Sequence, residues 1–350
     1  MNKNVIWGIL IITSLFFFCG KGHKKKAVGK RDVIMVLSDD RIYTKFQSRL
    51  NDIFQKEVMT PQPEKLYKIV KGTWEEFDVY KKWRNILLIG ALNSSDPISQ
   101  FIIKSLDQET VKLIQINQAF MFMKKNVWAS DQGVMFLIAK NDSLLDMNLD
   151  MYSTQIFTVM DRSVDERVKN WLYEKDEKIT VSNDLKEKYH FSIRIPHFFH
   201  FAKNMPDSNF LWFTAAAPER WIFIKWRDIE EGEEIEINQN KAVFMRDSLS
   251  EIFYSKDSVN KEYTSALKTE LNGMDAIRLQ GLWENDSLIV GGPFINYQFF
   301  DRNTRRYYMI DGAIFAAGLE KSHYIKQLDV IINTFRTYSQ EQGETTTAGE

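Results

Sequence analysis

"LIVGGPFINYQFFDRNTRRYYMIDGAIFAA" (Leu288–Ala317) decides the fold: two long apolar and aromatic runs meet across the polar quartet Asp301 to Thr304, the pattern of two antiparallel strands and their turn. Just upstream, "AIRLQGLW" (Ala276–Trp283) supplies a third strand. Downstream, Tyr324, Leu328, Ile331 and Phe335 recur at helical spacing, so a helix from about Glu320 to Arg336 has one apolar stripe to bury. A three-strand meander covered by an amphipathic helix is a sound folding unit. Within it, Gly291, Gly292 and Pro293 interrupt the strand pattern. They predict a bulge, the alternative being a place where backbone approaches a ligand closely.

Working outward, "FSIRIP" (Phe191–Pro196), "FLWF" (Phe210–Phe213) and "WIFIKW" (Trp221–Trp226) read as further antiparallel strands. The acidic run from Glu230 to Glu236 reads as a solvated loop before a helix from about Asn240 to Phe253. The amino-terminal half has a different rhythm. "VIMVL" (Val33–Leu37), "LYKIV" (Leu66–Val70), "NILLIGAL" (Asn85–Leu92), "VKLIQIN" (Val111–Asn117) and "GVMFLIA" (Gly133–Ala139) are strand candidates. Between them lie a helical stripe of Ile42, Phe46, Leu50 and Ile53, capped from "SDD" (Ser38–Asp40), and a shorter helix opened by a Thr73 and Glu76 capping box. A long helical stretch follows from about Asp142 to Glu174. The fold class expected is α+β (α/β): an amino-terminal α/β domain over 32–185, a carboxyl-terminal antiparallel-sheet domain packed with helices over 186–338, and a disordered polar tail over 339–350.

Composition sets the bounds. The 350 residues, 44% hydrophobic and 13% aromatic, suffice for packed cores, and a net charge of -1 gives no case for nucleic acid. The first residues stand apart. Val5 to Cys19 is apolar except for Thr13 and Ser14, too short for a spanning helix but suited to a secretory signal over 1–18. In an exported protein the one cysteine, Cys19, has no internal disulfide partner, and its place at the end of the apolar run makes it a lipidation candidate. Phe18 stands where lipoprotein signals usually have a small residue, so an uncleaved signal anchor and ordinary cleavage stay open. A basic tether over 19–31, with Lys21, Lys24, Lys25, Lys26, Lys30 and Arg31, suits anionic headgroups or a simple soluble spacer. With Lys3 and those six set aside, the 46 basic residues fall to 39 against 47 acidic, a net -8 for the body.

A set of motifs carries a resemblance: "RNILL" (Arg84–Leu88), "VWASDQ" (Val127–Gln132), "FSIRIP", "NFLWF" (Asn209–Phe213), "RDS" (Arg246–Ser248), "GLW" (Gly281–Trp283), "GGPFINY" (Gly291–Tyr297) and "DGAIFAAG" (Asp311–Gly318). In this order they resemble bacterial envelope lipoproteins known as a domain of unknown function, family forty-eight thirty-seven, over nearly all of the mature chain. Members typically carry lipoprotein signals, which supports acylation of Cys19. No activity, cofactor or catalytic residue comes with the resemblance. The second half also resembles PsbP-like and Mog1-like domains, α/β/α sandwiches that serve mostly as accessory or assembly factors.

No nucleotide-loop, serine-elbow or zincin motif is present. His190, His197 and His200 fall within eleven residues, yet on a strand His197 and His200 point to opposite faces, so no metal is expected, nor any cofactor. Trp212, Trp221, Trp226, Trp283, Tyr297, Tyr307 and Tyr308 belong to the core by periodicity, with an aromatic platform as the alternative. Arg278, Trp283, Gly291, Gly292, Tyr297 and Asp311 lie on neighbouring predicted strands and form the candidate binding edge. The leading function is a membrane-tethered, periplasm-facing envelope lipoprotein that binds a partner protein or envelope polymer. The alternatives are an envelope hydrolase acting on a glycan or peptide, which a deep cleft holding two carboxylates, or a carboxylate with His197, would favour, and a small-ligand receptor, which would need an enclosed apolar pocket.

Overall fold

The computed structural model describes residues 24–233, 235–253 and 257–340. Cys19 and the signal lie outside the described residues. The described residues form two compact units, one of 24–56 with 67–164 and one of 57–66 with the described residues from 165 to 340.

In the amino-terminal unit, β1 (Val33–Ser38) leads into α1 (Asp40–Phe54). A small ribbon of β2 (Glu57–Val58) and β3 (Glu64–Lys65) follows and groups with the other unit. Next come β4 (Lys68–Gly72), α2 (Phe77–Tyr80), β5 (Asn85–Ala91), α3 (Pro97–Lys104), α4 (Gln108–Gln115), β6 (Met121–Lys125), β7 (Gly133–Ala139), α5 (Asp142–Met151) and α6 (Ser153–Tyr173), whose residues from Asp165 onward group with the carboxyl-terminal unit. The sheet order is β4-β1-β5-β7-β6, parallel except for β6. β1, β5 and β7 are buried along their whole length, which is why they read as unbroken apolar runs.

Three expectations are corrected here. Val111–Gln115 of "VKLIQIN" are helical, in α4, with Ile116 and Asn117 in the turn that ends it: the Asp107 carboxylate accepts from the Thr110 amide at 2.7 Å and starts a helix that buries Thr110 and Ile114, four residues apart. Thr73 and Glu76 make no capping box. Glu76 instead accepts from the Tyr80 hydroxyl at 2.5 Å, and α2 is one turn long. The basic tether is also shorter than expected, because Ala27 and Val28 donate backbone hydrogen bonds to Ser130 and Lys82, and the Lys24 ammonium donates to the carbonyls of Asn126 and Val127.

The carboxyl-terminal unit continues with α7 (Ile179–Tyr189), β8 (Phe191–Ser192), β9 (His200–Met205), β10 (Phe210–Ala215), β11 (Glu219–Asp228), α8 (Gln239–Phe253), β12 (Ser258–Leu271), β13 (Met274–Asn285), β14 (Val290–Asp301), β15 (Arg306–Phe315), α9 (Ser322–Ile332) and β16 (Arg336–Thr337). Seven antiparallel strands run in the order β12-β13-β14-β15-β11-β10-β9. The meander expected from the sequence is β13-β14-β15, at the centre of a wider sheet. The side chains fix which helix covers which face. Arg246 of α8 meets Asp311, and Gly312, the next residue, faces Leu328 of α9. α8 therefore covers one face and α9 the other, with Phe210, Trp221, Phe223, Leu279, Phe294 and Met309 packed on the α8 side. At the end of the expected tail, Ser339 donates to Asp301 at 3.0 Å and Gln340 to the Asn272 carbonyl at 2.7 Å, so both are held; 341–350 lie outside the described residues.

Candidate functional site

Strand alternation divides the expected binding edge between two faces. Tyr297 and Arg278 point to the α9 side. The Arg278 Nε donates to the Tyr297 hydroxyl at 3.0 Å, and that hydroxyl donates to Asp329 of α9 at 2.7 Å. Burial first, then the Asp329 charge, raises the Tyr297 phenol well above its ordinary range, so it remains a donor. Trp283 and Asp311 point to the α8 side. The six residues line no common mouth.

The glycine motif is a packing device. Trp283 lies opposite Gly292, and its indole Nε1 donates to the Ile314 carbonyl at 3.2 Å. A Cβ on Gly292 would sit 2.0 Å from that carbonyl oxygen, and one on Gly291 2.7 Å from the Trp283 carbonyl oxygen. The expected bulge is absent, since β13 and β14 pair without a register shift from Ala276↔Phe299 to Asn285↔Val290. Pro293 has no amide hydrogen, and the β14–β15 ladder begins one residue later, at Phe294↔Ala313, leaving the Ile314 carbonyl to the indole.

Asp311 anchors a polar chain inside the α8 face. Its Oδ2 accepts from Arg246 Nε at 3.1 Å and Asn296 Nδ2 at 3.0 Å. Gln298 donates to Asn296 and to the Ala242 carbonyl, both at 2.8 Å, and accepts from the Tyr307 hydroxyl at 2.7 Å. The Arg246 guanidinium also lies 3.9 Å from the Phe294 ring centroid. Complete burial raises the Asp311 carboxyl despite Arg246. "RDS" and the Asp of "DGAIFAAG" thus join as one core pair. Trp221, Trp226, Trp283, Tyr297, Tyr307 and Tyr308 are buried, and only Trp212 is half-exposed, so no platform forms from them. The three histidines are dispersed. His190 ends α7 in a left-handed conformation, His197 lies edge-on to Phe198, and His200 Nδ1 is 3.5 Å from Lys178 Nζ. Among the described residues no three His, Cys, Asp or Glu side chains form a metal group.

Sequence reasoning missed a second cluster, in the amino-terminal unit. Asp39 follows β1 directly, while Ser94 and Asp96 follow β5, so they meet at the carboxyl ends of two adjacent parallel strands. Here the chain order reverses, which is where open α/β sheets bind ligands. Asp39 does not cap α1. One of its oxygens accepts from the Ile98 amide at 3.2 Å, and the other from Ser99 at 2.5 Å and Ser94 at 3.2 Å. Ser94 also lies 3.0 Å from Asp96. Burial, reinforced by the Asp96 charge, raises the Asp39 carboxyl, while the Ser99 and Ser94 hydroxyls oppose the shift. The signal was in "SDD", which helix-cap reasoning absorbed, and in "NSSDP" (Asn93–Pro97), which the sequence reading passed over.

The fold is that of an α/β unit followed by an antiparallel α+β unit with a helix on each sheet face. Residues 178–334 match the family described as Domain of unknown function (DUF4837), the family expected from the motifs. Residues 27–172 match a second, Domain of unknown function (DUF8532), so the DUF4837 resemblance does not extend over nearly all of the mature chain. The two matches meet between 172 and 178, ahead of the boundary expected at 185. No curated protein matches the sequence significantly. Solved structures similar to parts of the chain include the Saccharomyces cerevisiae Ran-binding protein Mog1p, at 11% identity and TM-score 0.31, over 43% of this chain and 90% of that one. Another is LpqN, involved in cell envelope biogenesis of Mycobacterium tuberculosis, at 10% identity and TM-score 0.27, over 41% and 81%. A Bacteroides thetaiotaomicron protein shares 8% identity with a TM-score of 0.24, over 42% of this chain and 45% of its own.

Proposed function

We propose that this chain is a lipoprotein of the cell envelope, acylated on Cys19 and facing the periplasm, whose carboxyl-terminal unit binds a partner protein or envelope polymer rather than catalysing a reaction. The observation that carries the binding reading is the contrast between the two edges of the seven-stranded sheet. Both edges carry a register irregularity, between Asn260 and Ser265 on β12 and beside Trp212 and Phe213 on β9, and β12 also exposes Tyr263 and Leu267, so what sets the edges apart is charge: β12 carries Lys261, Glu262, Lys268 and Glu270. All six residues of β9 are exposed, among them Phe201 at 43% and Met205 at 39%, and its one lysine, Lys203, has its ammonium 4.7 Å from the Trp212 ring centroid. Such an edge offers unpaired backbone groups to an added strand and apolar side chains to grip it. Tethering would raise the effective concentration near membrane partners. A photo-crosslinking residue at Ala202 tests this in cells. Adducts with an envelope component are expected there and not from Lys268 on β12, and equal yields from both edges, or none at Ala202, contradict the reading.

The Asp39 and Asp96 pair favours a second reading, an envelope hydrolase acting on a glycan or peptide. Asp39→Asn and Asp96→Asn should then each abolish release of fragments from isolated envelope glycan, and unchanged release dismisses this reading.

A further inference from the structure

Arg220, near the start of β11, is 6% exposed. Among the described residues no carboxylate lies within ion-pair distance of it, and burial lowers its pKa with only the Tyr324 phenol opposing. A buried arginine is ordinarily matched by an acid, as Arg246 is by Asp311. Here the charge is met by rings. The guanidinium carbon is 4.9 Å from the centroid of Phe198, 5.2 Å from Tyr324 and 5.8 Å from Phe199. Two of its five N–H groups are used, Nε toward the Pro218 carbonyl at 3.3 Å and Nη1 toward Gln327 Oε1 at 2.9 Å. Nη2 donates to nothing among the described residues and is not enclosed. The wall continues outward through Trp171, 6.3 Å from Phe198, and His197, 5.2 Å from it.

We propose that Arg220 is the anchor of a binding site for a monocarboxylate carried on a ring or other flat apolar body. The free edge of the guanidinium presents Nη2 and the second hydrogen of Nη1, a fork that suits a planar oxyanion. One cation in a low-dielectric cage is neutralised by one carboxylate, whereas a phosphate dianion would leave a buried negative charge. The half-exposed faces of Phe198, Tyr324 and Trp171 give the ligand body an apolar wall, and Gln327 and the Pro218 carbonyl hold the guanidinium in its plane without competing for Nη2. The "PHFF" (Pro196–Phe199) and "APER" (Ala217–Arg220) segments, unused by the function proposed above, supply these parts, and the site does not depend on that reading.

The test is a titration of the full chain, at constant ionic strength in chloride, following the Arg220 Nε–Hε resonance assigned by its loss in Arg220→Lys. Benzoate should move it saturably and bind about tenfold more tightly than acetate, which lacks the ring. Benzyl alcohol, which lacks the charge, should leave it in place. Arg220→Met should fold, lose the quench of tryptophan emission that benzoate causes, and unfold no earlier than the parent, since an unmatched buried charge has been removed. If it does not fold, the titration of the parent chain still decides. No saturable shift with benzoate overturns the site, and phosphate binding more tightly than benzoate overturns its assignment to a carboxylate.

Discussion

Arg246 and Asp311 show what a buried ion pair is worth in this sheet. Arg246 is 1% exposed and Asp311 fully buried, so removing one partner leaves the other charged in a medium that cannot solvate it. Arg246→Met should cost about 3–5 kcal/mol in urea unfolding, and adding Asp311→Leu should recover much of that loss. Equal losses for the single and double variants would show that the pair is not the source. Gly292→Ala is a second residue-scale test. Its Cβ cannot fit 2.0 Å from the Ile314 carbonyl oxygen unless a strand moves, so a loss of about 2–3 kcal/mol is expected by the same assay. Asp39 gives a pH prediction. Its carboxyl is raised on folding, so its contribution to stability is complete below the ordinary carboxylate value of about 3.9 and is lost as pH rises through the raised value. Asp39→Asn, uncharged throughout, should therefore lose less stability than the parent between pH 4 and pH 7, and parallel curves would count against this assignment.

At the scale of elements, the sequence was most legible where a long pattern had one period. The apolar runs of β1, β5 and β7 and the meander β13-β14-β15 appear where continuous burial or strand alternation placed them. Short segments failed for a physical reason. Val111 to Asn117 is apolar enough for a strand, and what makes Val111–Gln115 helical is Asp107, four residues upstream of Val111, whose carboxylate satisfies the Thr110 amide. β9 was invisible because an exposed edge strand carries no buried stripe, and β12 because its ladder is broken between Asn260 and Ser265. The motif residues were found but grouped wrongly. Residues one position apart on a strand face opposite ways, so Arg278 and Tyr297 serve α9 while Trp283 and Asp311 serve α8. The same alternation makes β9 testable. Phe201→Ser with Met205→Ser should cost about 1–2 kcal/mol, since the Phe201 ring packs edge-on against the buried Phe213, yet leave the fold intact and abolish crosslinking from Ala202. Retained crosslinking would place the contact elsewhere.

For the whole molecule, two family matches fall on 27–172 and 178–334, and two compact units divide within α6, at 164/165. The units offer different chemistry: a carboxylate pair at parallel strand ends in the first, an open edge and a ring-caged arginine in the second. No helix among the described residues is long and apolar enough to cross a membrane. The proposed attachment is made through the proposed amino-terminal signal and Cys19. Stable anchoring by lipid takes more than one chain, as a diacylglyceryl or triacyl group provides. The direct measurement is the mass of the amino-terminal peptide from protein extracted from its native membrane fraction. A peptide beginning at Cys19 with a diacylglyceryl or triacyl adduct is the predicted result; an unmodified peptide beginning at Met1, or at a residue beyond Cys19, would contradict it.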